Sequence, residues 1–65
     1  MSTKAELARR VLEMLVHGDP VPTLDALQLR KWAVRPQDAV LPLEEIANRV
    51  LNHEERKNAK AAEQR

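Results

Sequence analysis

The apolar residues of this chain recur at helical spacing in three segments, and the last of these patterns stops well before the end of the sequence. In the third segment they recur every three or four positions: Leu43, Ile46, Ala47, Val50 and Leu51. From position 52 to the end of the 65-residue sequence, alanine is the only apolar residue. Because the intrinsic helix propensity stays high there, the sequence predicts a core helix that continues as a polar extension.

The three amphipathic segments predict an all-α fold, a small three-helix bundle with a polar, partly frayed C-terminal helical extension. We expect helices over roughly residues 3–17, 24–34 and 42–58, since short connections favour a compact bundle over a long coiled coil. Residues 1–51 would form the core, and residues 52–65 would be frayed or bound to a partner, because helical segments without tertiary contacts are marginal in water. The predicted core centres on seven residues: Leu7, Val11, Leu15, Leu27, Trp32, Ile46 and Val50.

Local signals predict where the helices begin and end. Thr3 and Glu6 have the spacing of a capping box. Gly18 is the only glycine, and its position predicts a left-handed residue that ends the first helix. We expect Thr23 to cap the second helix, and Pro42 to occupy the first position of the third.

The second segment is apolar on two sides. Leu24 and Leu27 lie on one side of a helical projection, and Leu29 lies nearly opposite, with Trp32 between them. A helix that is apolar on two faces is buried on both. In a chain of this size, one of the two faces is therefore available to another copy or to another protein.

The basic segment of residues 30–35, around the only aromatic residue, Trp32, is the leading candidate for a binding surface. Trp and Arg are favoured at protein interfaces, and cations beside an indole also suit single-stranded nucleic acid. A third interpretation is that Trp32 is a core residue and the cations are its solvated neighbours. The predicted partner-binding residues come from this segment and from the extension: Leu29, Arg30, Trp32, Arg35, Arg56 and Lys57.

The segment from Leu43 to Val50 resembles the opening helix of a helix-turn-helix, in which an alanine packs against the recognition helix. The chain departs from that pattern at Leu51, where a glycine is usual, and at Lys57, where a buried aliphatic residue is usual. An amphipathic core helix explains the same residues without these departures.

The composition argues against catalysis and against metal binding. There is no cysteine, and a single glycine cannot form a glycine-rich phosphate loop. His17 and His53 are too few to make a structural zinc site. We therefore expect a non-enzymatic protein with no cofactor, no metal and no small-molecule substrate.

The charge is almost balanced, with 11 basic and 10 acidic residues, so the chain as a whole does not have the charge of a polyanion binder. The lack of cysteine and of any long apolar run favours a soluble cytoplasmic protein that does not enter a membrane. The predicted function is a protein-interaction or regulatory module, an adaptor or inhibitor, that binds a protein partner or itself. The alternative is a nucleic-acid-binding accessory protein that uses the segment around Trp32 and the cations of the extension.

Overall fold

The computed structural model describes residues 3–63, and the side chains of residues 3–60. In this part of the chain there are three α-helices, α1 (Thr3–His17), α2 (Thr23–Lys31) and α3 (Leu43–Glu63), and one 3₁₀ helix (Pro36–Val40). The packing is most extensive between α1 and α3, and α2 contacts both of them. The predicted all-α three-helix architecture is confirmed.

The first helix begins and ends within the predicted range, and Gly18 follows it. Gly18 has a φ of +75°, and its N–H donates to the carbonyl of Leu15 at 3.3 Å. The N–H of Asp19 donates to the carbonyl of Met14 at 2.8 Å. These two hydrogen bonds form a Schellman motif, in which glycine is the residue that adopts a positive φ at least cost.

The other two α-helices each begin directly after a proline. The carbonyl of Pro22 accepts a hydrogen bond from the N–H of Ala26 at 3.1 Å, and that of Pro42 accepts one from Ile46 at 3.1 Å. Pro42 is therefore the N-cap of α3 and not its first residue, and Thr23 is the first residue of α2 and not its cap. Pro22 takes the cap position because its ψ of 138° is extended, and no side chain completes the cap by a hydrogen bond.

The second helix ends at Lys31, before the predicted end at 34. The N–H of Ala33 donates to the carbonyl of Arg30 at 3.3 Å, which tightens the final turn. Arg35 is extended, with a φ of −122° and a ψ of 142°, because the residue before a proline is restricted to such conformations. The chain then enters the 3₁₀ helix at Pro36.

The core combines small and large residues from all three α-helices. Its buried members are Leu7, Ala8, Val11, Leu29, Ile46, Ala47 and Val50. Four of the predicted core residues are among them. Trp32 is partly buried and packs against this cluster. Ala8 on α1 and Ala47 on α3 are both fully inaccessible to solvent. Their small side chains let the two helices approach closely.

Two of the predicted core residues lie outside the cluster. Leu27 is 52% exposed, whereas Leu29 is 0% exposed. Residues that are two positions apart on a helix point in directions that differ by about 200°. A single cluster on one side of α2 can therefore bury Leu27 or Leu29, but not both. Leu15 is 36% exposed because it lies in the last turn of α1, where Val16 and His17 are also exposed. The core predictions for Leu27 and Leu15 are wrong.

The third helix is one unbroken element, and its buried face extends past Leu51. Glu54 is 6% exposed, which corrects the expectation that burial ends at Leu51. A long acidic side chain can pack its aliphatic part while its carboxylate reaches the edge of the buried region. Since the helix continues through positions 51–57, the turn of a helix-turn-helix is absent from this segment.

The extension is helical beyond position 58, as its alanine, lysine and glutamate content favours. The described helix ends at Glu63, and the last two residues of the predicted extension, at positions 64 and 65, lie outside the described part of the chain. Neither this helix of 21 residues nor any other in the described range combines the length and the apolar character that a membrane span requires.

A cationic groove as the candidate functional site

Two of the six predicted binding residues make contacts within the fold. Leu29 does not face a partner, because it is fully buried in the core. The Nη1 of Arg30 donates to the carbonyls of Ala39 at 2.7 Å and of Leu41 at 3.1 Å. Arg30 thereby fastens the C-terminal end of the 3₁₀ helix to α2.

The other four predicted residues converge on adjoining depressions between the α2–3₁₀ segment and α3. Arg35 and Arg56 line the first depression, which we call the arginine lobe and which has a volume of about 270 Å³. Its full lining is Val34, Arg35, Asp38, Arg49, Asn52, His53 and Arg56. Three arginines, one directly before the 3₁₀ helix and two on α3, thus line one concave surface.

The arginine lobe contains a single carboxylate, on Asp38. Its Oδ2 lies 3.6 Å from the Nη1 of Arg49, and the Asp38 side chain is only 13% exposed. The pair joins the 3₁₀ helix to α3 and partly neutralises one of the three guanidinium groups. Among the residues that the structure describes, Arg35 and Arg56 form no ion pair.

Trp32 and Lys57 line the second depression, which we call the tryptophan lobe and which has a volume of about 230 Å³. This lobe shares Val34 and His53 with the arginine lobe. The Nζ of Lys4 lies 5.9 Å from the centroid of the Trp32 ring, a cation–π distance. A lysine of this protein therefore already covers a face of the indole.

A third depression continues the surface along α3 and is lined by His53, Arg56, Lys57 and Lys60. We refer to the three depressions together as the cationic groove. It also takes in ten residues outside the predicted binding set: Lys4, Ala33, Val34, Asp38, Arg49, Val50, Asn52, His53, Glu54 and Lys60. The groove is thus wider than the predicted set of binding residues.

One signal in the sequence would have identified part of the groove. Arg49, His53, Arg56 and Lys60 are spaced by four, three and four positions, which places them on one face of a helix. At 1.5 Å per residue this stripe is about 16 Å long. The apolar pattern of α3 and this stripe overlap in sequence, and the stripe is apparent only when the Arg, Lys and His residues are projected separately from the apolar ones.

The groove separates charge within a nearly neutral chain. Among residues 3–60, whose side chains the structure describes, it contains six of the ten Lys and Arg residues but only two of the nine acidic residues, Asp38 and Glu54. The other residues of this range therefore include four Lys and Arg residues and seven acidic residues. Outside the groove, Arg9 pairs with Glu55 at 3.7 Å and Arg10 pairs with Asp25 at 3.6 Å. Positive potential is accordingly concentrated on one surface.

Comparison of the chain with protein-family models, with curated proteins and with solved structures finds no match.

Proposed function

We propose that this protein is a non-enzymatic interaction module, an adaptor or inhibitor, that binds an acidic segment of a partner protein in the cationic groove. The observation that supports this proposal most directly is the convergence of Arg35, Arg49 and Arg56 on one depression, with Lys57 and Lys60 beside it. Recognition of acidic segments by clusters of arginine is a recurrent mode of peptide binding.

The same groove offers an apolar contact between its two lobes. Val34 is 45% exposed and lines both the arginine lobe and the tryptophan lobe. A bound segment with acidic residues on both sides of one apolar side chain would place that side chain on Val34. Protein interfaces commonly have an apolar centre and a polar rim, and here Val34 would be the centre and the basic residues of the groove the rim.

The position of Trp32 favours a protein over a single-stranded nucleic acid. Binders of single strands offer free aromatic faces on which successive bases stack. Here the ring is partly buried against the core, and Lys4 covers a face of it. Base stacking would first have to displace that lysine, whereas an acidic peptide can use Lys4 where it lies.

Fluorescence anisotropy with two labelled probes tests the proposal. One probe is a glutamate-rich peptide with a central leucine, and the other is an oligothymidylate of matched charge. We expect the peptide to bind more tightly than the oligonucleotide, and its affinity to fall as salt is added. The opposite ranking would support the nucleic-acid-binding function and overturn this one.

A matched pair of charge reversals separates the groove from the rest of the surface. Arg56→Glu lies in the groove, while Lys31→Glu lies on the exposed side of α2, and both change the net charge by the same amount. We expect Arg56→Glu to weaken peptide binding about tenfold or more, and Lys31→Glu to leave it nearly unchanged. Equal losses in the two variants would show that the peptide responds only to net charge.

A further inference from the structure

We propose that the arginine lobe is a binding site for a phosphate monoester, carried by a phosphorylated side chain within the acidic segment. This inference rests on the proposed function. The lobe differs from the rest of the cationic groove in its donors. It is lined by three arginines and no lysine, and guanidinium groups bind phosphate oxygens through two parallel hydrogen bonds, which ammonium groups cannot do.

The charge of the lobe matches a phosphate better than a carboxylate. Three guanidinium groups and one carboxylate leave an excess of two positive charges. A phosphorylated side chain carries a charge of about −1.5 to −2 at neutral pH, whereas Asp or Glu carries one negative charge. A phosphate monoester therefore neutralises the lobe, and a single carboxylate leaves part of its charge uncompensated.

The lobe also has space and additional donors. It is an open depression of about 270 Å³, so a phosphate group can enter it directly from solvent. The amide of Asn52 and the imidazole of His53 line the same depression, between Arg49 and Arg56 on α3. Both can donate a hydrogen bond to an anion.

Asp38 supplies the one negative charge that lines the arginine lobe. Its carboxylate lies 3.6 Å from Arg49, where it competes with a ligand for that guanidinium group. Removing its charge should therefore increase the affinity for phosphate. Asp38→Asn keeps the shape of the side chain, and Glu13→Gln, on the exposed side of α1, is the control with the same change in net charge.

The test compares three forms of the glutamate-rich peptide: with one serine, with that serine phosphorylated, and with that serine replaced by glutamate. We expect the phosphorylated form to bind about tenfold more tightly than the glutamate form, as charge-assisted bidentate hydrogen bonds allow. Arg35→Lys should remove most of this preference while it retains the charge. Circular dichroism of each variant establishes that it is folded.

Asp38→Asn should strengthen binding of the phosphorylated peptide several-fold, and Glu13→Gln should not. Inorganic phosphate alone should shift the NMR amide signals of the residues in the arginine lobe, but at much higher concentration than the peptide. If free phosphate binds as tightly as the phosphorylated peptide, the site serves the free ion, and the proposal of a phosphorylated segment is overturned.

The two proposals fail in different ways. If the glutamate and phosphorylated peptides bind equally well, the phosphate site is overturned, while the interaction with an acidic segment stands. If none of the three peptides binds, the proposed function fails, and the phosphate site fails with it.

Discussion

The two faces of α2 both carry leucines, but only one face is buried. On the inner face, Leu29 is 0% exposed, whereas on the outer face Leu27 is 52% exposed and Leu24 is 80% exposed. Propensity and hydrophobicity do not distinguish these leucines. The difference arises because α1 and α3 pack against one side of α2 only. A leucine of α2 therefore contributes to stability only if its side chain points toward these two helices.

The largest expected effect comes from the inner face. Leu29→Ala should lower the free energy of unfolding by about 2–5 kcal/mol, since it removes a fully buried side chain and leaves a cavity. A chain of 65 residues has only roughly 3–10 kcal/mol of stability in total. Urea denaturation followed by far-UV circular dichroism measures the loss, and a loss below about 1 kcal/mol would contradict this orientation of α2.

A smaller effect is expected at the border between the two faces, where Arg30 lies. Arg30→Ala should cost about 1–3 kcal/mol, because the carbonyls of Ala39 and Leu41 lose their shared donor in a partly buried site. Arg30→Lys should recover part of this loss, since one ammonium can still donate to a carbonyl. The same denaturation measurement applies. Full stability in Arg30→Ala would show that the 3₁₀ helix does not depend on this contact.

The smallest effect is expected on the outer face. Leu27→Ala should change the free energy of unfolding by no more than about 0.5 kcal/mol, as is usual for an exposed position. It is the matched control for Leu29→Ala, because both substitutions remove the same atoms from the same helix. A loss comparable to that of Leu29→Ala would mean that α2 buries both faces.

Much of the fold could be predicted from local patterns. The amphipathic spacing of α1 and the positive φ of Gly18 are properties of short segments, and both agree with the structure. The choice between Leu27 and Leu29 could not be predicted, because it depends on how α2 packs against α1 and α3. The burial of Glu54 was missed for a related reason: an acidic residue gives no hydrophobic signal, yet its methylene groups can be covered.

The candidate site was only partly predictable. Arg35, Arg56, Lys57 and Trp32 were selected from local composition, and the structure brings them to one groove. Lys4 could not be found in this way, because it is far from them in sequence and joins them through tertiary packing. The hydrogen bonds of Arg30 to two carbonyl groups of its own chain could not be predicted either, because they depend on how the 3₁₀ helix packs against α2.

The turn after α1 has a stereochemical consequence. A methyl group added at Gly18 would meet no atom within 4 Å, so the resistance of this site to alanine is a matter of chirality and not of space. D-alanine, the mirror image of L-alanine, prefers the φ of +75° that L-alanine avoids. In a chemically synthesised chain, D-alanine at position 18 should raise the stability by about 0.4–1 kcal/mol by restricting the unfolded state, while L-alanine should lower it. Thermal denaturation of the three synthetic chains would reveal this handedness, and the same ranking for both enantiomers would contradict it.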